Sequence, residues 1–420
     1  MQNTSQTSYN LIVVGAGAAG MIAAITAARL GKRVVLLEKL KHIGAKLKAT
    51  GGGRCNLTNT LSNEDFMQRF GRDGRFMTPA LNALDHKALI SFFAQIGVKS
   101  HAPDGYRVFP ISHSALTIIT ALEEEMKRLG ITVVCSERVE SLVSDGESVS
   151  GVSTATTTYS APNVIIATGG LGYPQLGAEG DGFTLASQAG HTITDLYPAM
   201  MPLKTKEVWG EGCRADTIPK VEIKIDLPKA KNIRAKGDLI FTSTGIRGPV
   251  VLDIAREINP YLSKHGGVPI LINMTKGMNE DQLLNHIKNE IHKHPEQSIL
   301  THIQTLLPES VGRALCILAD ADPQSGFNKL SGAVRDRLIK LLAWTPLTVI
   351  GHDGFKMAMI TRGGVSLKEI SPDTMESKIL RGLYFCGEVM NLDGPCGGYN
   401  LQWSFSSGYL AGHLGNKATI

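Results

Sequence analysis

Residues 9 to 38 constrain this chain of 420 residues more than any other stretch. "YNLIVV" is an apolar, β-branched run that stops on Gly15-Ala16-Gly17-Ala18-Ala19-Gly20. An alanine-rich segment, 18 to 30, follows with Gly31 as its stop, and "RVVLLE" then ends on Glu38. Strand, glycine turn, helix and second strand make one βαβ unit. G-x-G-x-x-G in that context, with an acid eighteen residues after Gly20, is the pattern of a dinucleotide site. Gly15 makes the tight turn, Gly17 lets backbone approach a pyrophosphate, and Gly20 lets the helix pack on the strand. The helix start offers unpaired N–H groups and the positive end of a dipole to the phosphates. Glu38 accepts from a ribose and repels a 2′-phosphate, which favours FAD or NAD over NADP at this position.

Two further stretches bear on which dinucleotide. "GLYFCGE", 382 to 388, is an apolar strand stopping at Gly387-Glu388, and Gly397-Gly398 precede a helix expected from about Asn400. A carboxylate at a strand end suits a ribitol hydroxyl, and a helix start suits the anionic edge of a reduced flavin. FAD commonly reaches such a distant second segment, and NAD does not need one. "NVIIATGG" supplies another buried strand, ending in Ala167-Thr168-Gly169-Gly170 and packing over the first glycine loop. "ATGGGRCN" places Gly51, Gly52 and Gly53 where a Cβ would collide with flavin or diphosphate. There Arg54 faces phosphate or ring, Asn56 bonds ring or substrate, and Cys55 reads as a packed small residue.

Composition sets the outer limits. The apolar fraction of 43% and net charge of +5 describe a soluble globular chain of two or three domains. Six cysteines without a C-x-x-C pair argue for free thiols and against a zinc site, so no metal is expected. The polar N-terminus lacks a signal-peptide layout, and no apolar run is long enough to span a bilayer, so the expected location is the cytoplasm. Lysines and arginines gather between Lys204 and Lys236. Without interleaved aromatics they read as a solvated β surface rather than an RNA-binding stripe.

"KATGGGRCNLTN", "GYRVFP", "GDLIFTSTGIRGPVVL", "TRGGVSLKEI", "TMESK", "GLYFCGEV" and "DGPCGGYNLQWSFSSG" together resemble the BaiN-like flavoproteins, described as NAD(P)/FAD-dependent or aminoacetone-oxidase-type enzymes. The resemblance runs from Tyr9 to about Gly412. Thr50 and Asn391 depart from the family pattern, where serine and aspartate are expected. The implied fold is α/β: a discontinuous Rossmann-type, glutathione-reductase-like FAD domain with an inserted small β-barrel and a helical subdomain. Residues 1–195 and 357–420 would form the FAD domain, 196–278 and 343–356 the barrel, and 279–342 the helical part. "VEIKIDL", "GDLIFT", "PVVLDIA" and "VPILINM" read as the barrel's strands, while "DQLLNHIKNEIHKH" and "AVRDRLIKLLAW" show helical periodicity.

The resemblance also adds Ala18, Ala19, Lys39, Lys46, Val139, Asp393, Tyr399, Leu401 and Gln402 to the cofactor-binding set, beside Asn400. It implies a flavin enzyme acting on a small organic substrate, as a monomer or homodimer. One version is an NAD(P)H-linked reductase of an activated C=C bond, with NADH or NADPH visiting transiently because no second G-x-G-x-x-G exists. The other is an amine oxidase using oxygen. A tRNA-modifying flavoprotein is a separate reading prompted by the basic charge and the 204-to-236 lysines, with nucleic acid the less expected partner. No acid or base is assigned. His113, Tyr106, Arg107 and His352 are candidates, each with an ordinary structural role as the alternative.

Overall fold

A computed structural model describes residues 9–214 and 216–416, so the polar segment before Tyr9 lies outside it. The chain divides into two compact units, one running up to Leu196 and resuming at Ile360, the other spanning Tyr197–Met359.

The first unit is built on a five-stranded parallel sheet in the order Leu383–Phe385, Val164–Ile166, β1 (Leu11–Val14), β2 (Val34–Glu38) and Thr132–Cys135. Both neighbours of β1 pair with it in register, Val13 facing Ile165 on one side and Leu36 on the other. β1 and the strand Val164–Ile166 are buried throughout, as the unbroken apolar runs of a sheet covered on both faces require. The helix α1 (Ala18–Arg29) follows β1, and Gly31 turns the chain with φ 75°. Because β2 and Val164–Ile166 flank β1 on opposite sides, the carboxyl end of β1 is a topological switch point, the place where such sheets bind ligands.

The C-terminal helix Tyr399–Gly412 packs on α1 at backbone distance. A Cβ at Gly408 would stand 2.3 Å from the Ala19 carbonyl oxygen, and one at Gly412 would stand 2.6 Å from that of Ala23. The small residues in "SFSSGYLAG" are therefore a packing device that holds the last helix against the first.

In the second unit six antiparallel strands close into a barrel: Leu203–Thr205, Gly245–Arg247, Arg234–Phe241, Thr217–Ile225, Val268–Asn273 and Thr345–His352. "PVVLDIA" is not one of them. It begins the helix Pro249–His265. Gly248 turns with φ 113° and Pro249 stands in the first helical turn, where its missing N–H costs nothing. Val250, Val251, Ile254, Ala255, Ile258 and Leu262 then bury one helical stripe, which the short apolar run disguised as a strand. The helices Glu280–Lys293, Glu309–Leu318 and Gly332–Ala343 share one apolar core with the barrel.

Candidate functional site

The first turn of α1 is an open anion seat. Gly17 caps the helix in extended backbone (φ −82°, ψ −172°), no side chain caps it, and no acid stands in its first turn. A Cβ on Gly17 would meet nothing within 4 Å, so the N–H groups of Ala18, Ala19 and Gly20 lie beside free space. Its sister glycines differ. A Cβ at Gly15 (φ 104°) would lie 2.7 Å from the Ala167 carbonyl, and one at Gly20 would lie 1.9 Å from the Gly15 carbonyl. Those two serve the backbone, and Gly17 alone leaves room for a ligand.

Segments from across the sequence converge on this turn. A Cβ at Gly387 would stand 2.9 Å from the Ala19 methyl, which puts the end of the strand Leu383–Phe385 against the start of α1. Glu388 accepts from the Thr361 N–H at 2.9 Å and pairs with Lys46 at 2.6 Å. Gly170 lies so close that a Cβ there would be 2.8 Å from the Glu388 carboxylate. Thr168 keeps a buried hydroxyl with no hydrogen-bond partner among the described residues, and Gly169 turns with φ 73°.

Glu38 accepts from the Ala16 and Leu40 N–H groups at 2.8 and 2.9 Å, and so braces the glycine turn. Beside it, Lys39 pairs with Glu179 (2.9 Å) and Asp181 (2.5 Å), and Arg138 joins both acids. Sequence reasoning missed Arg138, Glu179 and Asp181, because nothing in "GAEGDG" marks a partner more than a hundred residues away. Val139 is buried and starts a strand just after Ser136 and Glu137, whose N–H groups donate to Leu40 and Glu38.

The triple glycine has a cause in the backbone itself. Gly51, Gly52 and Gly53 adopt φ 58°, 65° and 84°, three left-handed residues in a row, and all are exposed. Nothing stands within 4 Å of a Cβ built on Gly52. That conformation by itself favours glycine, and at Gly51 a Cβ would also stand 3.0 Å from the Asn56 nitrogen. Arg54 lies 5.5 Å over the Phe109 ring and donates to the Gly51 carbonyl at 3.2 Å. Cys55 is fully buried, and burial pushes its thiol up to about 12, which leaves it a packed residue.

Three expected ligands have side-chain partners within the protein. In the orientation its neighbours require, Asn56 donates to the Thr58 and Val108 carbonyls and accepts from the Gly398 N–H at 3.0 Å. Gln402 is 1% exposed and donates to the Leu84 carbonyl and the Ser406 hydroxyl, so it belongs to the core rather than the cleft. It stands four residues into the helix, where the period turns its side chain inward. Asn400 clasps its own loop, accepting from the Gly394 N–H and donating to the Gly394 carbonyl. Gly397 and Gly398 turn with φ 122° and 86°, and a Cβ on Gly398 would sit 2.6 Å from the Thr58 backbone. Asp393 is 8% exposed, and Leu401 is half-buried against the core.

Near the start of that helix, the Tyr106 and Tyr399 hydroxyls meet at 2.5 Å, and both rings flank Gly397. His101 and His113 face each other, Nε2 to Nε2, at 3.0 Å beside Phe109. Arg107 is held by Asp104, whose carboxyl it lowers to about 2. His352 lies in the second unit, where burial lowers its pKa and Nδ1 accepts from Gly354. Among the described residues no group of three or more metal-ligating side chains forms, and no helix is long and apolar enough to cross a membrane.

The family profile of the HI0933-like protein Rossmann domain matches residues 9–414. The chain belongs to that family. It is similar to a 3-dehydro-bile acid delta(4,6)-reductase of Clostridium scindens, 31% identical over 95% of this chain and 97% of the relative. It is also similar to a ribosomal RNA dihydrouridine synthase of Haemophilus influenzae, 30% identical over 96% and 98%. Its fold resembles a 3-ketosteroid delta1-dehydrogenase of Sterolibacterium denitrificans, TM-score 0.54 at 12% identity, covering 97% of this chain and 99% of that one. As a member of the HI0933-like family this protein is an FAD-dependent oxidoreductase. Its uncapped helix start and open Gly17 suit that cofactor.

Proposed function

We propose that the enzyme reduces a C=C bond conjugated to a carbonyl in an organic substrate, with NADH or NADPH as the reductant. The observation that carries this reading is the chemistry shared by two relatives that match nearly end to end. A delta(4,6)-reductase of a 3-oxo steroid saturates an enone. A dihydrouridine synthase saturates the uracil C5=C6 bond, which is conjugated to C4=O. Both reactions add a hydride to an electrophilic carbon of the conjugated system, the β-carbon or, in a dienone, the δ-carbon, and a proton to the carbon that becomes nucleophilic.

FAD, when bound, supplies the hydride chemistry. The first turn of α1 holds the diphosphate through the N–H groups of Ala18 and Ala19. Glu38, kept in place by two N–H donors, accepts from the adenosine ribose. Glu388, fixed by Thr361 and Lys46, takes a ribitol hydroxyl. The start of the helix Tyr399–Gly412 lends its positive end to the flavin's anionic edge. Two proton-bearing pairs, Tyr106 with Tyr399 and His101 with His113, are the candidate proton donors to the α-carbon.

The test is anaerobic. The purified holoenzyme is bleached with NADH or NADPH, then offered a cyclic enone, a uracil nucleoside or an amine. Recolouring by an enone or uracil supports the reading. Bleaching by an amine alone, with rapid recolouring in air and none by enones, overturns it.

A further inference from the structure

Phe109 is the hub of a cationic face on the first unit. Its ring is 4% exposed, and the guanidinium carbons of Arg54 and Arg107 lie 5.5 and 6.0 Å from its centre. The His113 ring stands 5.9 Å away, and His101, bonded to His113, is the register partner of Phe109. Among the described residues, Asp104 is the one acid that forms an ion pair with this group, through Arg107. His113 also stands two residues before the helix Ala115–Arg128, whose first turn holds no acid and no side-chain cap. The local field is therefore positive.

Both arginines are pinned along one edge and open along the other. Nε of Arg54 donates to the Gly51 carbonyl at 3.2 Å, and Nε of Arg107 donates to Asp104 at 2.6 Å. The Nη groups of each make no hydrogen bond among the described residues, and both side chains are exposed. A bond at Nε and a ring beneath fix the plane of a guanidinium. The free Nη edge then offers two parallel N–H groups, which match a carboxylate or a phosphate. Little side-chain freedom remains to be lost on binding. This face adjoins the groups assigned to the flavin and the proton. The strand Arg107–Pro110 pairs with Thr58–Asn59, and the Asn59 amide donates to the Gly397 carbonyl at 3.0 Å. Tyr106, bonded to Tyr399, directly precedes Arg107.

We propose that Arg54 and Arg107 seat an oxyanion of the substrate, a carboxylate or a phosphate, beside the helix start that serves the flavin. This rests on the proposed reduction of a conjugated C=C bond and deepens it, by adding an anionic group to the substrate class. The first turn of α1 serves the FAD diphosphate, which leaves Arg54 to the substrate rather than the cofactor.

The experiment is a calorimetric titration of the oxidised holoenzyme with cyclohexanecarboxylate, with cyclohexyl phosphate and with the neutral methyl ester of the former. The parent should bind at least one anion, and the ester about tenfold more weakly or worse. The tighter of the two anions names the group. R54Q and R107Q should each weaken anion binding about tenfold, the worth of one charge-assisted hydrogen bond. R381Q removes an exposed arginine just before the strand Leu383–Phe385, at the end opposite Glu388, and should leave binding alone. Flavin content and the NADPH concentration that half-bleaches the enzyme are measured on the same samples. Equal binding of anion and ester, an equal loss in R381Q, loss of FAD from R54Q and R107Q, or a raised NADPH requirement with anion binding intact would overturn the proposal. Recolouring of the bleached parent by a neutral cyclic enone is followed alongside. If that persists while anion binding fails, only the oxyanion seat is lost; if anions bind and no enone recolours the enzyme, the seat stands and the reaction assignment falls.

Discussion

Substituting Gly17→Asp should strengthen the empty protein and weaken its hold on FAD. The position accepts any side chain without strain, because its φ is −82° and a Cβ there touches nothing within 4 Å. Its extended ψ of −172° is that of an N-cap, and an aspartate would bond the free N–H groups of the next turn. The cap adds a few tenths of a kcal/mol over glycine, and a carboxylate at the dipole's positive end adds about 0.3–1 kcal/mol. Flavin-stripped G17D should therefore melt roughly 2 °C above the stripped parent. For FAD the same carboxylate stands where the diphosphate must sit. At about 4 Å and an effective dielectric of about 20, one such pair of like charges costs about 4 kcal/mol. Screening reduces that to a range of about 1.4–4 kcal/mol, a ten- to thousandfold weaker Kd. Scanning calorimetry on stripped protein and quenching of FAD fluorescence measure the two quantities. Unchanged FAD affinity, or a lower melting temperature for the stripped variant, would refute the claim that α1 holds the phosphates.

Gly20→Ala makes the contrast: its Cβ would be driven to 1.9 Å from a carbonyl oxygen, so urea titrations should show a stability loss of about 1–3 kcal/mol with or without FAD. Glu125, 6% exposed and bonded first by Arg128 and then Arg29, has its pKa lowered from 4.5 to about 2. A depressed folded pKa contributes stability above about pH 4.5 that is lost as pH falls toward 2. E125Q should thus cost about 1–3 kcal/mol at pH 7 and much less near pH 2.5, and an equal cost at both pH values in urea titrations would count against the pairing. Iodoacetamide at pH 8 should leave Cys55 unmodified in peptide mass spectra until the protein is unfolded, since burial holds its thiol near 12.

How much of this was legible beforehand depends on the range of the interaction. The βαβ unit was readable because its signals are local: turn glycines, an apolar strand and an alanine helix lie within thirty residues. Gly15 and Gly20 have the backbone duties their spacing implies, and Gly51 to Gly53 stand in left-handed backbone that favours glycine, which no local sequence signal announces. "PVVLDIA" misled because a short apolar run carries no period of its own. The proline after Gly248 was the signal that could have corrected it.

The sequence by itself determined the nucleotide-binding turn, the parallel sheet and the family, because each is written in the order of neighbouring residues. Tertiary structure decided which polar groups remain available. It withdrew Asn56 and Gln402 into backbone and core bonds, joined Lys46 to Glu388 and Tyr106 to Tyr399, and set Trp344 against Lys224. Those pairings link residues more than a hundred positions apart, or turn a side chain inward by the phase of a helix. Only the folded arrangement of strands and helices brings such atoms within bonding distance.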